Sequence, residues 1–154
     1  MTEAAGWRPE VDVSMLVRRP ATEVYEAFAD PDRIRRFWLA SSSGRLETGS
    51  SVHWWFPVAG AETDVTVVRA EPGESLDLRW DNGQPLRITF EGRGSATLVR
   101  VTVTDFGGHN PAAAAIDSAA GFTLVLASLK VFLEHGIEGE LQYDRFPDAE
   151  RTSR

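Results

Sequence analysis

The histidines His53, His109 and His135 and the carboxylates Asp105 and Asp117 are the side chains best suited to chemistry in this chain of 154 residues. The histidines show neither His-x-x-x-His nor Glu-x-x-His spacing, so the pattern assigns no metal ligands. His109 lies in Gly107-Gly108-His109-Asn110-Pro111 and reads as a turn residue, whereas His135 sits at a helix end where the dipole favours a cation. His53 alone falls on a central strand. Turned inward it could serve as a general base; turned outward it is a solvated side chain. No nucleophile elbow, phosphate-cradling loop or dinucleotide fingerprint occurs. Gly44 to Gly49 and Gly92-Arg93-Gly94 join strand to strand, without the strand-to-helix setting a phosphate site needs. The pattern assigns no catalytic residue and no cofactor.

Polar residues set into an apolar arc come next. A helix is predicted over about 111–135, entered at Asn110-Pro111 and stopped by Gly136. At about 100° per residue, Ala115, Ala119, Phe122, Leu126, Leu129 and Leu133 share one face. Leu124, Val125, Val131 and Phe132 lie on the far side, leaving Thr123, Ala127, Lys130 and Glu134 as a narrow strip for water. So wide an arc predicts a helix enclosed on most of its circumference. Asp117, Gly121 and Ser128 fall within a sector of about 40° inside that arc. Asp117 could orient a ligand hydroxyl or act as a base, but an acid in the first two turns is also accommodated by dipole and water. Ser128 could reach a ligand or bond back to a helix carbonyl.

The partner that encloses the helix is legible upstream. Alternation predicts strands at 11–18, 51–57, 63–70, 75–80, 85–91 and 96–105, with a further short strand near Gly44-Arg45-Leu46. The turns Pro72-Gly73, Asp81-Asn82-Gly83 and Gly92-Arg93-Gly94 are short enough to imply an antiparallel meander. Two short helices follow strand one: Val24 and Phe28 share a face of the first, Ile34, Phe37 and Trp38 a face of the second. A net charge of −7 excludes a nucleic-acid surface, which needs a clustered basic face. The absence of cysteine fits a cytoplasmic protein, and neither a signal peptide nor a membrane span is expected. One domain over 1–154 is predicted, with its core in about 10–136 and a polar, frayed tail over about 144–154.

Residues 19–38 (Arg-Pro-Ala-Thr-Glu-Val-Tyr-Glu-Ala-Phe-Ala-Asp-Pro-Asp-Arg-Ile-Arg-Arg-Phe-Trp) resemble the opening of the START-related helix-grip (SRPBCC) superfamily. More narrowly they resemble the branch named after the activator of heat-shock-protein-90 ATPase. Pro72 to Trp80, with Leu76 between, resembles that branch's Pro-x-x-x-Leu-x-x-x-Trp strand; Gly94-Ser-Ala-Thr97-Leu-Val resembles its penultimate strand. Gly121-Phe122, Leu126, Leu129-Lys130 and Leu133-Glu134 resemble its helix signature, with Phe122 where Trp is more usual. The resemblance implies an α+β helix-grip fold: a curved antiparallel sheet wrapped around the long C-terminal helix. The branch often carries His at the position of Asp105, a departure that weakens any catalytic carry-over there.

In such a fold the gap between sheet and helix is a natural apolar ligand site. Trp38, Trp54, Phe56, Trp80, Phe90 and Phe122 are expected to wall it, with Asp117 or Ser128 orienting one polar group of the ligand. Val52, Trp54 and Phe56 are expected to point inward, and His53 and Trp55 outward. Three classes of function follow. The first is binding of a small apolar or aromatic molecule. The second is an enzyme of the polyketide cyclase or dehydratase kind, for which His53, Asp105 or Asp117 with Tyr25 are the available groups. The third, ranked last, is protein binding as in the eukaryotic chaperone activators, whose additional N-terminal domain these residues do not show. An outward-facing His53–Trp55 patch suggests a homodimer.

Overall fold

The computed structural model describes residues 8–153. In chain order the elements are β1 (Val11–Val17), α1 (Ala21–Ala29), α2 (Pro31–Ile34), β2 (Ser41–Ser42), β3 (Ser51–Trp55), β4 (Glu62–Glu71), β5 (Ser75–Trp80), β6 (Pro85–Arg93), β7 (Ala96–Val103), α3 (Pro111–His135) and α4 (Leu141–Asp144). The strands form one seven-stranded antiparallel sheet in the order β1-β7-β6-β5-β4-β3-β2. Short turns make the meander, as expected. Gly83 closes the β5–β6 turn at φ +85°, a conformation open to glycine without a side-chain clash, and donates to the Trp80 carbonyl. A β-bulge at Val68, between Val67 and Arg69 on β4, turns that side chain outward; bulges sharpen strand twist and so help curl the sheet.

The long helix has the ends its sequence prescribes. Asn110 accepts from the Ala113 N–H at 3.0 Å, Pro111 begins the helix, and Gly136 ends it in the left-handed region, donating to the Phe132 carbonyl. Ala115, Phe122, Val125, Leu126, Ser128 and Leu129 are buried, so the sheet grips the predicted face. Enclosure is less complete than the arc suggests: Leu124, Val131 and Phe132 are half-buried, and Ile116 is 72% exposed. By length and composition α3 could cross a membrane, a property not anticipated for any segment; its mean hydropathy is 1.6.

Of the expected water-facing strip, Thr123 is exposed, but Lys130 and Glu134 are not turned to water. They lie against the free edge of β1, where Lys130 Nζ donates to the Leu16 carbonyl at 2.8 Å and Glu134 accepts from the Arg18 N–H at 2.7 Å. The two side chains also pair with each other at 2.7 Å. The Arg18 N–H and the Lys130 ammonium hold the Glu134 carboxyl below its ordinary range. Helix polarity here satisfies unpaired strand groups that would otherwise invite another chain.

Several boundaries differ from the sequence reading: β1 ends at Val17, β4 runs Glu62–Glu71, β6 runs to Arg93, and α2 ends at Ile34, leaving Phe37 and Trp38 in the turn that follows. The extra strand is Ser41–Ser42 on β3, not 44–46; Leu46 is buried in a loop and donates to the Ala29 carbonyl. β3 stops at Trp55 and β7 at Val103. The C-terminal segment, expected to fray, is docked. The Thr152 N–H donates to the Pro57 carbonyl at 2.8 Å, its hydroxyl donates to the Phe56 carbonyl at 2.6 Å, and the Ala59 N–H donates to the Glu150 carbonyl. Backbone bonds and local ion pairs hold it, so it needs no apolar periodicity.

Candidate functional site

A cavity of about 310 Å³ opens between α3, the β3–β5 end of the sheet and the docked C-terminal segment. That volume lies at the lower end of small-molecule sites, about 300–1,000 Å³. Trp38, placed by the turn after α2, meets Phe122 of α3 edge-on at 5.5 Å. Phe56, just past β3, lies 6.2 Å from Trp80 at the end of β5. These four rings line the cavity with Val125 and, from the C-terminal segment, Phe146. A second, larger cavity of about 570 Å³ shares Trp80, Asp117, Ser118 and Phe122 with the first and extends past Asp105, which holds a left-handed φ of +60°.

Five of the expected side chains meet here: Trp38, Phe56, Trp80, Asp117 and Phe122. Trp54, Phe90 and Ser128 do not border this cavity. Trp54 does point inward but is fully buried behind the wall, 4.9 Å from Trp38 and 5.7 Å from Trp80. Its Nε1 has no hydrogen-bond partner. Phe90 shares the concave face at its other end, against Tyr25 and Phe28 of α1. Ser128 lines a separate crevice of about 10 Å³ beside Tyr143, scarcely room for one water.

Gln142, Arg145 and Phe146 border the cavity unanticipated. Arg145 lies against α3, its Nη2 donating to Asp117 Oδ1 at 2.8 Å, and its guanidinium sits 5.0 Å from the Phe146 ring centre. A mid-helix glycine was the available sequence signal. A Cβ on Gly121 would come within 2.9 Å of Arg145 Nη1, so the missing side chain makes room for the guanidinium. Among the described residues, Asp117 and Arg145 are the charged groups lining the cavity. Tyr25 is in the α1 core, where burial pushes its phenol up, and so is not beside Asp117.

His53 faces outward with Trp55, as the alternation implies. Its Nδ1 lies 2.7 Å from Asp64 Oδ1 and its Nε2 3.1 Å from Glu62 Oε1. The Asp64 hydrogen bond raises the His53 pKa above its ordinary value; desolvation opposes it, and the Glu62 contact adds to the rise. Stabilisation from this pairing is complete below the unfolded value of about 6.5 and is lost as pH rises through the folded pKa. An NMR titration should place the His53 midpoint above 6.5, and Asp64→Asn should lower it; a midpoint at or below 6.5 contradicts the pairing.

With this geometry in hand, the comparison with known families is decisive: residues 18–134 match the family described as "Activator of Hsp90 ATPase homolog 1-like protein". The chain belongs to that family. Its α+β helix-grip fold is shared with solved structures of the same kind. Protein SSP2350 from Staphylococcus saprophyticus is 32% identical, with 84% of this chain and 94% of that one covered and a TM-score of 0.76. DynU16, a protein of the dynemicin biosynthetic locus, is 28% identical over 88% of this chain and 50% of its own, with a TM-score of 0.77. The Aha1 dimer from Colwellia psychrerythraea is 20% identical over 82% and 97%, with a TM-score of 0.73, a likeness of fold. No curated protein matches this chain. The match to this activator-homologue family stops at residue 134, so Gln142, Arg145 and Phe146 lie outside it.

Proposed function

We propose that this member of the activator-homologue family binds a small, largely apolar, ring-containing molecule in the cavity between α3 and the sheet. The observation that carries the reading is the 310 Å³ space bordered by Trp38, Phe56, Trp80, Phe122 and Phe146. Flat rings offer large contact area with few rotatable bonds, which suits a flat ligand. A cytoplasmic location is part of this reading and fits a chain without cysteine.

Cyclase-type chemistry finds less support, because His53 lies on the outer face and no histidine borders the cavity among the described residues. Self-association stays within the proposal. With β1 covered by Lys130 and Glu134, a homodimer would meet through the outer face of β3 and β4, where Trp55 lies 4.5 Å from His53. Light scattering at high micromolar protein decides it.

The neutral probe 2-naphthalenemethanol tests the cavity reading. Saturating probe should raise the melting temperature by mass action. Phe122→Ala should weaken binding about tenfold, whereas Thr123→Ala, exposed on the same helix, should leave it unchanged. No rise in melting temperature at about 1 mM probe would remove the reading.

A further inference from the structure

Most of the cavity wall is apolar, and among the described residues its charged groups are Arg145 and Asp117. Arg145 is held with its side chain only 23% exposed, while the carboxylate it pairs with, Asp117, is 77% exposed. That pairing uses Nη2 alone, through Asp117 Oδ1 and, at 3.4 Å, the Asp117 carbonyl. A guanidinium carries five N–H donors in a planar fork, and among the described residues Nε and Nη1 make no hydrogen bond. Three residues earlier, Gln142 lines both this cavity and the narrow crevice beside Tyr143, and its Nε2 is buried out of reach of either space. A side chain at Gly121 would require the Arg145 guanidinium to shift, because a Cβ there would lie 2.9 Å from Nη1.

We propose that the ligand is an aromatic acid, and that its carboxylate or equivalent anionic oxygen group takes Arg145 in place of Asp117. The inference rests on the cavity reading above and names the ligand class within it. Three features support the exchange. An exposed carboxylate gains little from a surface ion pair and can return to water. A planar acid matches the fork of a guanidinium in a bidentate arrangement. The rings of Trp38, Phe56, Trp80 and Phe122 take the body of the ligand while the acid points to the C-terminal segment. Arg145 is therefore a specificity-determining residue, supplied by a segment outside the family match.

Calorimetric titration of the full chain with 2-naphthoate and with neutral 2-naphthalenemethanol, at pH 7 and low salt, tests this. The acid should bind about tenfold tighter than the alcohol. Arg145→Gln should bring the two within about twofold by weakening the acid alone, and Asp117→Asn should tighten the acid about threefold by removing its competitor. Equal affinities in the unaltered chain, a preference that survives Arg145→Gln, or an acid weakened by Asp117→Asn would overturn the inference while leaving the cavity reading in place. Binding of neither probe at about 1 mM would overturn both.

Discussion

Leu126→Ala should cost the domain about 2–5 kcal/mol, the range for truncating a buried leucine whose surroundings relax only partly. Leu126 has no exposed surface and lies between Phe122 and Leu129 on the gripped face of α3. The sheet wraps that face from one side, and β1 is tied to the same helix by the Lys130 and Glu134 contacts, so the void has little freedom to collapse. Urea melts give the loss from the shift in midpoint at constant slope. A loss below about 0.5 kcal/mol would mean that α3 is not gripped, and the cavity beside it would lose its wall.

Filling the cavity should affect binding and leave the fold intact. Ser118 lines both adjoining cavities and is half-buried on the first half of α3. Ser118→Trp places an indole into open space rather than into packed core, so stability should stay within about 1 kcal/mol of the unaltered chain. Affinity for 2-naphthalenemethanol should fall at least about tenfold, because the ring occupies the same volume as the probe. An unchanged affinity in Ser118→Trp would show that the probe binds elsewhere.

The helix and the meander were legible because each rests on local rules. Asn110-Pro111 and Gly136 mark the ends of α3, and alternation with glycine turns marks the strands. Alternation also gave the inward side of β3 correctly, yet it could not place residues along that side. Trp54 and Phe90 both face the helix, but one is covered by Trp38 and Trp80 and the other by α1. Those partners are set by how the sheet curls and where the short helices land, a long-range property. Lys130 and Glu134 read correctly as polar, but sequence does not say whether water or a strand edge receives a polar group. Gln142, Arg145 and Phe146 were the least legible. They sit in a segment held by hydrogen bonds at Thr152 and ion pairs at Arg151, with no apolar repeat to announce it.

The central claim is that the space between α3 and the sheet receives a ring-containing ligand, and the tryptophan indole N–H signals locate such a ligand directly. In a proton–nitrogen NMR titration with 2-naphthalenemethanol, the Trp38 and Trp80 signals should move most, since both rings border the cavity. Trp55, on the outer face beside His53, should stay in place. Movement of Trp55 with Trp38 and Trp80 unaffected, or no movement of any indole signal at saturating probe, would contradict the account.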